Sequence, residues 1–310
     1  MKVLITGGAG FIGSHLALEL RKQGHEVVVL DNLSAAHPDA VKLLDQGKVQ
    51  LVRGDVLVRE DALRAARGCE AVFHLAANPD VRANSASPGE AFRLNVQATH
   101  ALLEVLRETR PHSVVFASTS TIYGEASVVP TPEDYGPCEP ISTYGATKLA
   151  GEALLCAHAH ATKQRCTVLR LANITGPRST HGVACDLVAK LKRDPRNLEL
   201  LGDGKQRKSY AHIDDAIAAM LLAWQRQSAV FDAYNMGSED AISVVDVADE
   251  VCAALGLQGV RYTFKPSEGG RGWPGDVKVM QLAIGKLKAL GWAPRHTSRD
   301  AIRAAAESLR

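Results

Sequence analysis

The chain has 310 residues, a formal net charge of +2, 23% charged and 46% hydrophobic residues. That composition suits a folded globular protein with an ample core and excludes a disordered chain or a polybasic nucleic-acid binder. Six cysteines, at 69, 138, 156, 166, 185 and 252, lack CxxC spacing, so they are expected as buried small residues in a reducing cytoplasm.

The first strand-like run is Lys2 to Thr6, and no apolar run approaches the length of a membrane span, so neither a signal peptide nor an anchor is expected. The run leads straight into Gly7-Gly8-Ala9-Gly10-Phe11-Ile12-Gly13 and then a helical pattern through Gln23. Glycines 8, 10 and 13 satisfy GxGxxG, and glycines 7, 10 and 13 a GxxGxxG variant of it. Backbone without side chains lets a pyrophosphate approach the amides of a helix N-terminus, where the macrodipole favours an anion. A second strand, Glu26 to Asp31, ends in an acid about 20 residues beyond the glycines, where a ribose hydroxyl is expected; an acid there repels a 2′-phosphate, which favours NAD over NADP.

Further strands are expected at 49–53, 70–75, 112–118 and 166–172, with helices near 11–23, 59–67, 88–109 and 142–163. This alternation predicts an α/β fold with a doubly wound parallel sheet. After Gly176-Pro177 the elements shorten and turn signals multiply, which predicts an NAD-binding domain over 1–175 and a smaller substrate-binding lobe over 176–310, with 231–236 able to return to the main sheet. Within the 142–163 helix, Tyr144 and Lys148 stand four positions apart in Tyr144-Gly145-Ala146-Thr147-Lys148. They share a helix face, and a cation beside a phenol favours its ionised form, so the pair suits proton transfer at an alcohol or ketone. His158 and His160 diverge on the same helix and make a poor metal pair; no metal is expected. The helices 88–109 and 142–163 carry apolar or small residues on more than one face: Phe92, Leu94, Ala98, Leu102, Val105 and Leu106 on the first, Ala146, Ala150, Ala153, Leu154 and Ala157 on the second. A homodimer built on them is expected.

Taken together, Thr6 to His15, Asp31-Asn32, Gly54-Asp55-Val56, His74 to Ala77, Ser118 to Gly124, Tyr144 to Lys148, and Asn173 with Gly176-Pro177-Arg178 occur in an order that resembles the extended short-chain dehydrogenase/reductases acting on nucleotide sugars. Within that group the chain is most similar to UDP-glucose (UDP-galactose) 4-epimerases of the compact archaeal type, through Lys208-Ser209-Tyr210 and Gly272 to Val277. The resemblance implies a Rossmann-type fold in which Gly7, Gly10, Phe11 and Ile12 cradle the NAD pyrophosphate and Asp31 and Asn32 hold the adenosine ribose. It further places Asp55 and Val56 at the adenine, Leu75, Ala76 and Ala77 along the middle of the cofactor, and Asn95 as a brace. Thr119 completes a Thr-Tyr-Lys triad and bonds the sugar O4, while Lys148 holds the nicotinamide ribose and lowers the Tyr144 pKa. Asn173, Lys208, Arg271 and Asp276 are the implied contacts to the nucleotide diphosphate of a UDP-sugar.

The implied reaction removes the C4 hydroxyl proton with Tyr144 and a hydride with NAD, then returns both after the 4-keto sugar has turned over. Several positions depart from the family pattern. Lys208 stands where many relatives have Arg, and Trp273 where many have an Arg three residues before the acid equivalent to Asp276, with Arg271 two places earlier. Met280 replaces a bulky Tyr of some glucose-restricted epimerases, which leaves acetamido sugars open. Ser120-Thr121 replaces the Asp-Glu of 4,6-dehydratases and leaves no acid where related decarboxylases usually keep one. C4 epimerisation of UDP-glucuronate or UDP-N-acetylglucosamine stays open beside UDP-glucose, and a non-catalytic NAD(H)-sensing protein is the alternative of another class.

Overall fold

Seven strands build the central sheet of the computed structural model, which describes residues 1–310. They are β1 (Lys2–Thr6), β2 (Glu26–Asp31), β3 (Gln50–Arg53), β4 (Ala71–His74), β5 (Ser113–Thr119), β6 (Arg165–Leu171) and a last strand, Phe231–Met236. Across the sheet the order is Phe231–Met236, β6, β5, β4, β1, β2, β3. β1 pairs in parallel with β2 and β4, Val3 lying opposite both Val27 and Ala71; β2 with β3 and β4 with β5 are also parallel. Strand order therefore reverses at β1, the switch point of a doubly wound sheet, where the open carboxyl ends of strands leave room for a ligand. Every residue of β4 and β5 is buried, which is why these strands read as continuous apolar or small-residue runs rather than alternating ones.

Helix Phe11–Lys22 buries Phe11, Gly13, Ser14, Leu16, Ala17 and Leu20 and ends with Arg21 and Lys22, whose charges suit the negative end of its dipole. Helix 88–109 is not one regular helix: it runs as Pro88–Ala91, a π-helical turn Phe92–Gln97, and Ala98–Thr109. The Thr99 hydroxyl donates to the Asn95 carbonyl at 2.6 Å, a side-chain insertion into the helical ladder of the kind that accompanies a local change of pitch. Two short helices, Ala40–Gln46 and Val81–Ala86, add to those expected.

The chain divides into two compact units, and the single boundary expected near 175 gives way to interleaved segments. The first unit comprises Met1–Thr119, Ala146–Arg170 and Met220–Tyr234; the second comprises Ser120–Gly145, Leu171–Ala219 and Asn235–Arg310. The sheet draws chain from well beyond 175 because strand Phe231–Met236 runs beside β6, with Cys166 N donating to Val230 O and Ala172 N to Met236 O. The first unit packs Leu102, Val105 and Leu106 with Val114, Phe116, Leu155 and Val168. The second has its own core, which includes Leu187, Leu198, Leu200, Val247, Val251 and Ile302. Its helices Val244–Leu255 and Ser298–Ser308 both open on capping boxes, Ser243 with Asp246 and Thr297 with Asp300.

Candidate active site

In the first unit, the strand-to-helix turn after β1 has the properties a phosphate cradle requires. Gly7 has φ +71°, and a Cβ there would lie 2.7 Å from Ala76 N. A Cβ on Gly13 would lie 2.3 Å from Gly7 O, so its absence lets the helix sit against the turn. At Gly10 a Cβ would meet only Gly7 O, at 3.3 Å, so that side of the turn is open to a ligand. Phe11 and Ile12 begin the helix that follows, where unpaired amides and the dipole attract an anion.

Asp31, at the end of β2, accepts from Ala9 N at 2.9 Å and Leu33 N at 2.8 Å. Its carboxylate thus ties the glycine turn to the strand end and keeps acceptor capacity for a ribose hydroxyl. Asn32 donates to Asp55 Oδ2 at 3.0 Å, and Asp55 Oδ1 accepts from Leu57 N at 2.9 Å; Val56 beside it is buried. These residues end or follow β2 and β3. Leu75, Ala76 and Ala77 follow β4, with Leu75 N bonded to Thr6 O at 3.1 Å and Ala76 N to Thr6 Oγ1 at 3.3 Å.

Asn95, buried on the π turn, donates to Thr147 Oγ1 at 3.0 Å and accepts from Asn78 N at 2.9 Å. The brace is therefore between three segments, and it grips the helix Thr143–Thr162 next to Lys148. A buried chain of polar groups, which motif reading did not assign, runs alongside. Thr6 Oγ1 lies 2.7 Å from His74 Nδ1, and His74 Nε2 lies 3.0 Å from Thr99 Oγ1. Burial, aided by the Lys148 charge, pulls the His74 pKa down to about 3, so the ring is neutral and bridges as donor on one side and acceptor on the other.

Lys148 is 3% exposed. Its ammonium donates to Ala117 O at 2.9 Å and lies 4.7 Å from the centroid of the Phe116 ring. Burial lowers its pKa to about 8, and the charge of Glu152 opposes the fall. Thr119, buried, ends β5 two residues beyond Ala117. Glu152 was not singled out from sequence; its spacing of four from Lys148 was the available signal.

The second unit holds Tyr144, at the start of the helix Thr143–Thr162 that also carries Lys148. Its neighbour Gly145 is needed for close approach: a Cβ there would lie 2.6 Å from Thr121 O. Desolvation pushes the Tyr144 phenol above its usual pKa, the opposite direction from the lowering expected of Lys148. The physical reason is burial, which penalises the charged phenolate.

The second unit also gathers the residues considered for a nucleotide. Lys208 forms an ion pair with Asp276, their side chains 16% and 2% exposed, and lies 5.2 Å from the Trp273 ring centroid. Arg271 donates to Asp276 O at 2.6 Å and pairs with Glu125 through both nitrogens of its fork. Gly272 N donates to Asp276 Oδ2 at 3.1 Å. Asn173 donates to Ser209 O at 3.2 Å, one residue from Lys208. Both cations thus already face carboxylates, so a diphosphate must compete with Asp276 and Glu125 for them. Trp273 packs under Lys208, and Met280, buried, pairs with Lys208 in the strand register.

All six cysteines are free thiols; Cys69, Cys166 and Cys252 are buried, whereas Cys138, Cys156 and Cys185 keep partial exposure. His158 is buried and His160 exposed, on diverging sides of one helix. No group of three or more His, Cys, Asp or Glu side chains is placed to hold a metal ion, and no helix is long and apolar enough to cross a membrane.

Residues 3–237 match the NAD dependent epimerase/dehydratase family. The chain is 32% identical over 313 residues to a UDP-glucose 4-epimerase of Corynebacterium glutamicum, covering 96% of this chain and 92% of that protein. Among solved structures it is similar to a UDP-galactose 4-epimerase, with 43% identity, a TM-score of 0.88, and 100% and 98% of the two chains covered. It is also similar to the UDP-glucuronic acid 4-epimerase from Bacillus cereus in complex with UDP-glucuronic acid and NAD, with 28% identity, a TM-score of 0.89, and 100% and 99% covered.

Proposed function

The chain belongs to the NAD dependent epimerase/dehydratase family, and within it we propose that the protein inverts C4 of a UDP-hexose, interconverting UDP-glucose and UDP-galactose through a 4-keto sugar. The observation that carries this reading is the placement of Tyr144 and Lys148 one turn apart on one helix, with the Lys148 ammonium fastened to β5 two residues before Thr119.

NAD, when bound, supplies the reversible hydride acceptor for C4. Gly7, Gly10, Phe11 and Ile12 would hold its pyrophosphate, Asp31 and Asn32 the adenosine ribose, Asp55 and Val56 the adenine, and Leu75 to Ala77 its middle. Lys148 would hold the nicotinamide ribose, with Asn95 bracing its helix through Thr147. Thr119 bonds O4 and fixes the sugar hydroxyl for Tyr144, which takes its proton and later returns it. Because burial raises the Tyr144 pKa, its phenolate needs positive charge brought alongside, and Lys148 is the residue of this helix that would supply it. Lys208, Arg271, Asn173 and Asp276 hold the UDP, so that the hexose alone is free to turn. Ser120 and Thr121 offer no carboxyl group for elimination across C5 and C6, which argues for inversion rather than dehydration.

Incubation without added reductant tests the reading. UDP-glucose, UDP-galactose, their N-acetyl forms and UDP-glucuronate are supplied separately and the product sugars analysed. A C4 epimer of UDP-glucose without net NADH is the expected result. Accumulation of a 4-keto-6-deoxy sugar overturns it in favour of dehydration, and turnover of UDP-glucuronate alone moves the substrate assignment to the uronate, as the Bacillus cereus likeness allows.

A further inference from the structure

We propose that Glu152 is a positioning residue that keeps the Lys148 ammonium charged at the working pH. The inference rests on the C4-oxidation reading only for its catalytic consequence; the placement of the two groups, buried and one turn apart on one helix, is independent of that reading.

Lys148 and Glu152 are one turn apart on Thr143–Thr162 and are 3% and 4% exposed. A buried ammonium bonded to a neutral carbonyl, as Lys148 is to Ala117 O, loses hydration without gaining an opposite charge at the contact itself. Glu152 supplies that charge from the next turn. Its carboxylate is held on both oxygens: Arg170 Nε donates at 3.1 and 3.2 Å, Arg170 Nη2 at 2.8 Å, and Ser118 donates its hydroxyl to Oε1. Ser118 stands between Ala117 and Thr119, so one stretch of β5 fastens the lysine, orients the glutamate and presents the threonine.

Around Lys148, β5 presents the Phe116 ring and the Ala117 carbonyl, while from β4 comes His74, neutral and itself held uncharged in part by Lys148. Around Glu152, β6 presents Arg170 and β5 presents Ser118. The Glu152 charge raises the Lys148 pKa against the dominant effect of burial. Removing it therefore moves Lys148 toward the neutral amine, and the alkaline limb of activity moves to lower pH with it.

The test compares Glu152→Gln with Glu152→Asp in the full chain. Lysine labelled with carbon-13 at Cε reports the Lys148 titration by NMR, its resonance assigned by loss in Lys148→Met; the pH dependence of sugar conversion is measured in parallel. Glu152→Gln is expected to lower the Lys148 midpoint by about one pH unit, while Glu152→Asp, which keeps the charge, holds it within a few tenths. Equal losses of stability in both variants with an unmoved Lys148 midpoint would overturn the proposal and leave Glu152 and Arg170 as a strut. Should Glu152→Gln alone fail to fold, the double variant Glu152→Gln with Arg170→Met removes both charges of the pair and must still move the Lys148 midpoint downward, by less than the single variant because a neighbouring cation is lost as well; an unmoved midpoint there overturns the proposal. A shifted midpoint in a protein that converts no UDP-sugar supports the coupling and rejects the enzymatic reading.

Discussion

In the proposed reaction Tyr144 carries the heaviest demand of any single residue, because its hydroxyl must give up a proton where burial disfavours the anion. Replacing it with Phe removes one oxygen and little packing. Conversion of the sugar is expected to fall by roughly 10²- to 10⁴-fold, the usual contribution of a positioned acid or base, with UDP-sugar affinity measured by calorimetry nearly retained; unchanged conversion would remove Tyr144 from the chemistry. His74 makes a separate prediction. Its folded pKa of about 3 lies below the unfolded value of 6.5, so between these values the unfolded chain binds more protons. Stability is accordingly lost as pH falls from 6.5 toward 3. In His74→Gln, the slope of unfolding free energy against pH in that window, from urea titrations, is expected to be shallower by up to one proton, about 1.4 kcal/mol per pH unit. A slope equal to wild type would show that another group governs the acid limb.

The element on which most depends is the helix Thr143–Thr162. Gly145 and Gly151 let it approach its neighbours, and Gly151 makes the sharper case: a Cβ there would lie 2.7 Å from Phe116 Cζ. Phe116 is 1% exposed and has no free direction in which to yield. Ala in place of Gly favours a helix by about 1 kcal/mol, but overpacking a closed core costs about 1–3 kcal/mol. Gly151→Ala is therefore expected to lose about 1–2 kcal/mol of stability in denaturant melts, and to lower kcat more than KM because the Phe116 ring also faces Lys148. Stabilisation would mean that the contact relaxes freely. The helical segment 88–109 teaches a complementary lesson. Its apolar spacing is real, yet Ala98, Leu102, Val105 and Leu106 are all buried within their own unit, leaving Phe92, 50% exposed, as its main outward apolar group.

For the whole molecule, that burial weakens the first helix as a dimer surface and shifts the argument to the second, where Ala146, Ala153 and Ala157 are exposed and Leu149, Ala150 and Leu154 partly so. We propose a homodimer in which this face meets its copy. Ala153→Arg is expected to halve the mass seen by light scattering while leaving the circular dichroism unchanged; a wild-type protein already monomeric at micromolar concentration would dispose of the dimer. The two interleaved units explain why a boundary at 175 was the natural reading of the chain and still not the structural one. Alternating strands and helices, the glycine turn, Asp31 and the Tyr144 to Lys148 spacing are local patterns, and the amino-acid sequence by itself determined the class of fold and the cofactor from them. Patterns separated by long stretches of chain carry no such mark. The π turn that aims Asn95, the capture of Lys208 and Arg271 by Asp276 and Glu125, and the grip of Ser118 and Arg170 on Glu152 were decided only by tertiary structure. Each depends on which side chains the fold brings together, and where they are buried, burial sets the charge and geometry of a group in ways that its neighbours in sequence do not report.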